Sequence, residues 1–190
     1  KRSITVASAI APPSLIPARL LGRTDEPASR PLFDGRTFQG WEGDTKRTFR
    51  IEDGAIVGGS LKTPVPRNEF LCSTNTYANF IFRAECKLVG PGNAGIQFRS
   101  QRVPNHHEVS GYQADISAGD DGGYWGCLYD ESRRNRMLAR PERPTIKKAL
   151  KPNAWNLYEI RCQGPRIRLS INGVETVDYI EADAKIPTRG

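Results

Sequence analysis

An all-β fold, an antiparallel β-sandwich, is what this sequence predicts, and three observations predict it. Stretch after stretch alternates apolar and polar residues with period two. Turn signals separate these stretches, in a chain of 190 residues that holds 18 Gly and 14 Pro. No segment carries the apolar spacing of a helix of ordinary length, and no internal repeat is visible. Together these favour short strands packed in two layers.

The elements follow in order. In "TFRIEDGAIVGG" (48–59), Asp53-Gly54 separates two short apolar-rich runs, a hairpin signal. "NFIFRAECKL" (79–88) sets Phe82, Ala84, Cys86 and Leu88 against Arg83, Glu85 and Lys87, an inner and a solvated face. "AGIQFRS" (94–100) sets Ile96 and Phe98 against Gln97 and Arg99. "GYQADI" (111–116) places Gln113 and Asp115 on one face and Tyr112, Ala114 and Ile116 on the other. "WNLYEIRCQG" (155–164) and "RIRLSING" (166–173) alternate again, and Asn172-Gly173 turns the chain into "VETVDYI".

A length of 190 residues suits one sandwich domain with a real core, here residues 31–190. The first 30 residues differ. "KRSITVASAIAPPSLIPARLLGRTDEPASR" opens on two basic residues, continues through small apolar ones and ends as a polar linker. It reads as an export-signal-like segment, and the expected location is exported, periplasmic or extracellular, in a bacterium. An N-terminal arm packed along the domain is the alternative. Its apolar run (3–18) is too short and proline-rich for a membrane span.

The net charge of +7 gathers between Arg133 and Lys151. Nucleic-acid binding would want exposed aromatics interleaved there, or a known module, and neither is present, so a solvated basic loop is expected. Cys72, Cys86, Cys127 and Cys162 lie far apart with no C-x-x-C pair, which argues against structural zinc and leaves their pairing open. Likewise, nothing fixes the oligomeric state.

Two polar faces stand out from the solvated ones. Gln97 and Arg99, with Gln113 and Asp115, combine amides, a cation and a carboxylate, which form directional bonds to hydroxyls and carbonyls. If the two strands are neighbours, these groups share one patch. Trp125, Tyr124 and Tyr129 from "GDDGGYWGCLYDE" (119–131) could wall it, making a carbohydrate groove. A plain wet surface is the alternative. Tyr112, Glu131 and His106 complete the expected substrate-binding set.

The blocks "PLFDGRTFQGWEG" (31–43), "FLCSTNTYANFIFRAECKL" (70–88), "GNAGIQFRSQ" (92–101), "GYQADI", "WGCLYDE" (125–131) and "WNLYEIRCQGPRIRLSING" (155–173) occur in this order. The chain thereby resembles the bacterial 3-keto-disaccharide hydrolase family from about residue 31 to 180. The resemblance implies a concanavalin A-like jelly roll, usually exported, acting on glycosides whose ring carries a ketone at C3. It also implies a further strand pair past Arg189-Gly190, so the jelly roll is expected to lack its last C-terminal strand in this chain.

The implied chemistry suits the residue types. A ketone at C3 acidifies the C2 proton, a base removes it, and the C1 substituent leaves; water then adds. Asp115 is the expected base, with His107 the second catalytic candidate and Arg99 and Gln97 holding the ketone or enolate oxygen. His106, Glu108, Asp130 and Glu131 are competitors for the base. No cofactor is expected. A divalent cation held by an adjacent His and Glu pair in "NHHEVSG" (105–111) is the weaker alternative, for want of a third ligand at defined spacing. Calcium at "GDDGG" is likewise weaker than an acidic turn. "YDESRR" (129–134) reads as surface ion pairs. The expected partner is a carbohydrate ligand, with no nucleic acid and no membrane span. The alternative function is a non-catalytic, lectin-like carbohydrate-binding module.

Overall fold

The computed structural model describes residues 29–119 and 123–190. Residues 1–28 of the export-signal-like segment and linker (1–30), and residues 120–122 of "GDDGG", lie outside the described residues. The described elements are β1 (Trp41–Glu42), β2 (Phe49–Glu52), β3 (Ala55–Gly58), β4 (Cys72–Ser73), β5 (Phe80–Cys86), β6 (Asn93–Arg102) and β7 (Val109–Ser117). After them come β8 (Leu128–Glu131), β9 (Arg136–Ala139), α1 (Arg143–Ala149), β10 (Asn156–Gln163), β11 (Arg166–Ile171) and β12 (Val174–Ile180).

Two four-stranded sheets carry the fold, one in the order β12-β11-β10-β5 and the other β6-β7-β8-β9. Every pairing in both is antiparallel. The alternation read from the sequence decides what lies between them. Ala84 and Cys86 of β5, Tyr158 and Ile160 of β10, and Ile167 and Leu169 of β11 meet Phe98, Tyr112, Ala114, Ile116 and Leu128 in one core. Burying each large apolar side chain there contributes roughly 1.5–3 kcal/mol. The sandwich is as expected, and the hairpins form where the turn residues put them. Asp53-Gly54 and Asn172-Gly173 both adopt positive φ, the geometry that matches the twist of paired strands. Two small sheets, β1-β4 and β2-β3, flank the main pair.

The basic region differs from the expected solvated loop. Its middle is α1, which follows Pro141, carries Pro144 in its first turn and buries Ile146 and Ala149. Arg133 and Arg134, at its start, belong to a buried ion network. Arg134 Nε donates to Asp130 Oδ2, and its Nη2 donates to Glu181 Oε2 (2.7 Å). Arg133 Nε donates to Asp130 Oδ1 (2.9 Å), and its guanidinium lies 4.6 Å from the Tyr112 ring centroid. The Asp130 side chain is fully buried, so "YDESRR" is no set of surface pairs.

The four cysteines are free thiols. No described helix is long and apolar enough to cross a membrane.

Candidate active site

The outer face of the β6-β7-β8-β9 sheet gathers the polar residues. β6 and β7 are neighbours, with Gln97 opposite Gln113 and Gly95 opposite Asp115. On the other side of β7, Tyr129 sits opposite Gln113 and Glu131 opposite Gly111. Because strand residues alternate, Gln97, Gln113, Asp115, Tyr129 and Glu131 share one face, away from Tyr112, Ala114 and Leu128.

A directed row of hydrogen bonds crosses this face. Ser100 Oγ donates to Gln97 Oε1 (2.9 Å), Gln97 Nε2 to Gln113 Oε1 (2.7 Å), and Gln113 Nε2 to Asp115 Oδ1 (2.6 Å). The row leaves Oδ2 of Asp115 outside it. Burial pushes the Asp115 carboxyl up to about 7; the Gln113 N–H opposes the rise, Glu131 adds to it and Arg140 opposes it. A carboxyl poised near neutrality can both take and return a proton.

Gly95 makes room for the row. A Cβ there would lie 2.4 Å from Gln113 Cγ. Gly95→Ala is therefore expected to push Gln113 off Asp115, removing the bond that holds its pKa down. The pH midpoint of any activity that depends on Asp115 should then rise above that of the unsubstituted protein, read from kcat/KM against pH. An unchanged midpoint would mean the Gln113 bond does not set the carboxyl.

Several expected site residues lie elsewhere. Arg99 occupies a bulge at φ 49, where the β6–β7 register shifts between Phe98 and Gln101. One extra residue takes its side chain off the Gln97 face. The guanidinium is buried and donates to the carbonyls of Ala78 (3.0 and 2.8 Å) and Gly164 (2.7 Å), tying this sheet to the other. Those bonds satisfy a buried cation, and Arg99 is not on the Asp115 face. His106 and His107 sit in the β6–β7 connection, rings 4.2 Å apart, and His107 pairs with Glu108 (3.3 Å). Asp115 lies six positions along the strand from Val109, a run of about 20 Å, so neither histidine joins Asp115. Tyr112 points into the core, stacks on Phe98 and donates its hydroxyl to Glu181 (2.7 Å). Trp125 is buried against Tyr158, with ring centroids 6.3 Å apart, and walls nothing. Asp130 faces the core too, opposite Tyr112.

Two residues near the site were not singled out for it by the sequence. Ser100 follows the bulge that displaces Arg99, and Arg140 directly follows β9, its guanidinium 5.0 Å from the ring centroid of the exposed Tyr124. Among the described residues no group of three His, Cys, Asp or Glu side chains is placed to hold a metal ion.

Comparison with known proteins agrees with the fold. A candidate glycosyl hydrolase from Parabacteroides distasonis, known from its crystal structure, is 22% identical with a TM-score of 0.61, over 84% of this chain and 83% of that one. The carbohydrate binding module CBM66 from Bacillus subtilis is 16% identical with a TM-score of 0.58, over 80% of this chain and 83% of that one. At these identities the likeness is one of fold. Among curated proteins, none matches. The model of the 3-keto-alpha-glucoside-1,2-lyase-like domain matches residues 28–189, nearly the whole chain, and the protein belongs to that family.

Proposed function

We propose that the protein is exported and breaks the glycosidic bond of 3-keto-glycosides by elimination, with Asp115 as the base. One observation carries this reading: a buried carboxyl raised to about 7, with one oxygen fixed by Gln113, stands on a face of hydroxyl-binding amides. Family membership supports the keto-sugar substrate, and the small-residue apolar start of the chain supports export.

The chemistry balances as follows. Asp115 Oδ2 takes the proton from C2; the C–H electron pair forms the C2–C3 double bond, and the carbonyl pair moves onto O3. When the C3 carbonyl re-forms, the pair shifts to C1–C2 and the bond from C1 to the leaving oxygen breaks. That oxygen takes the proton back from Asp115, so one group serves as base and then acid. Water addition to the C1–C2 double bond completes a net hydrolysis. Gln97 and Gln113 each keep an amide N–H beyond the row for sugar hydroxyls, and Tyr129 flanks them.

The test is turnover of a 3-keto-glycoside beside its unoxidised parent, following release of the leaving sugar or alcohol. Release from the keto compound alone is expected, with kcat/KM rising with pH through about 7, because the base must be ionised. Release only from the unoxidised sugar would point to a paired-carboxylate glycosidase. Saturable binding without release from either would make the protein a carbohydrate-binding module on the same fold.

A further inference from the structure

Removal of the C2 proton moves the negative charge from Asp115 to O3, and in a site closed off from water that oxyanion needs a cation or donors facing it. Arg99, which the sequence offered, is engaged by the carbonyls of Ala78, just before β5, and Gly164, just after β10. Another arginine stands on the right face.

The backbone fixes its place. Asp115 N donates to Cys127 O (3.0 Å), so Cys127 lies level with Asp115 across the β7–β8 border. Ala139 pairs with Leu128, which places the next residue, Arg140, level with Cys127. Gly95, Asp115, Cys127 and Arg140 thus form one row across the sheet. Leu128 and Ala139 pack on the core side, so alternation turns Arg140 to the face that Asp115 shares. Two strand spacings separate their backbones, about 10 Å, which an arginine stem largely crosses.

The ring of Tyr124 then aims the guanidinium. Tyr124 N donates to Ser117 Oγ (2.7 Å), and Ser117 is two residues past Asp115 on the same face of β7. The Tyr124 backbone is thereby anchored at the end of the polar row, with the Arg140 guanidinium 5.0 Å from the ring centroid. A guanidinium resting on an aromatic face is held in orientation while its N–H fork stays available to an oxygen. Cys127, between the two charges, has its thiol pushed up to about 11 by burial, so it is neutral and adds no competing charge.

We propose that Arg140, seated on Tyr124, binds the C3 ketone oxygen of the substrate and stabilises the enolate oxygen formed when Asp115 takes the C2 proton. This rests on the elimination reading above. It also fixes the ring's orientation: C2 over Asp115, C3 toward β9, and the leaving group toward Gln97 and Gln113.

Arg140→Gln, Arg140→Lys and the unsubstituted protein are compared on a 3-keto-glycoside. Loss of one oxyanion donor should lower kcat/KM by roughly 100- to 1000-fold in Arg140→Gln. Arg140→Lys should recover part of that, since the charge remains without the fork. The pH midpoint of the residual Arg140→Gln activity should rise, because this cation opposes the upward push on Asp115. A merely structural role would not move it. Arg140→Gln within twofold of the unsubstituted rate, or slowed with an unmoved midpoint, would overturn the assignment and leave the elimination reading standing. Failure of the unsubstituted protein to turn over any 3-keto-glycoside would overturn both.

Discussion

Asp115→Asn is expected to abolish most turnover and, at the same time, to make the protein more stable at about pH 8. The two effects share a cause. Burial raises the carboxyl from 3.8 to about 7, so the folded protein resists ionising it while the unfolded chain does not. Between those values the folded state holds a proton that the unfolded state has released. The stabilising contribution is therefore fully present below about pH 4 and is lost as pH rises through about 7, with each unit of displacement amounting to roughly 1.4 kcal/mol. Asparagine is neutral throughout and still offers an oxygen to Gln113 Nε2, so it keeps the row and sheds the ionisation cost. The variant should gain on the order of 1–3 kcal/mol over the native protein near pH 8 and little near pH 4, read as a difference in Tm of several degrees at the higher pH only. Turnover should fall by roughly 100- to 10,000-fold, since no proton acceptor remains. Near-native turnover would remove Asp115 from the chemistry. A Tm difference that ignores pH would mean the carboxyl is not held up in the folded state.

That coupling explains why an unfavourable group sits in so well-packed a sheet. Ala114 and Ile116, on either side of Asp115 in the strand, are among the most buried residues, and Tyr158 donates its hydroxyl to the Asp115 carbonyl (3.5 Å). The strand is held from the core side, so its outer face can carry a group that costs stability. Strain of this kind is common where a site needs a displaced pKa.

Much of this was legible in the residues. The alternation of "GYQADI" and "GIQFR" alone places Gln97, Gln113 and Asp115 together once the strands pair, because period two leaves no other face for them. What failed were the places where one residue breaks the period. "FRSQ" carries no glycine or asparagine to mark a bulge, yet Arg99 takes a positive φ there, and every later side chain changes face. Ser100 thereby reaches Gln97 and Arg99 does not. Trp125 is turned inward beside Gly126, whose φ of 75 interrupts the strand geometry just before β8. The histidines are near Asp115 in sequence and far from it in space, since a strand carries residues apart faster than any other element. Arg140 was hidden among basic residues. Counting back from the Tyr129–Gln113 pair along "RMLAR" would have found it only with the β8–β9 register, including its bulge, in hand.

Arg134→Met should destabilise the fold by roughly 3–5 kcal/mol, far more than loss of an exposed arginine in an equally short ion pair. Asp130 is buried to the last atom and depends on Arg133 and Arg134 for compensation. Methionine matches the volume but strands half of that compensation, and a buried carboxylate left short of partners costs more than the ion pair contributed. Glu181 loses its main cation as well. Burial alone would raise Glu181, yet the bonds from Arg134 and Tyr112 outweigh it and hold the carboxyl down at about 2. Its contribution is thus present above about pH 4.5 and lost as pH falls through about 2; in Arg134→Met that loss should begin at higher pH. Arg166, which pairs with Asp178 on the solvated face of the other sheet, is the control, and Arg166→Met should cost far less than Arg134→Met. Urea denaturation of both variants near neutral pH decides the matter, and equal losses would show the Asp130–Arg134–Glu181 cluster to be no stronger than a surface pair. A large loss would also bear on the site. Tyr112, which donates to Glu181 from the core side of β7, is the neighbour of Gln113 on the other side of the same strand. The network therefore fixes the strand that aims the Gln113 amide at Asp115.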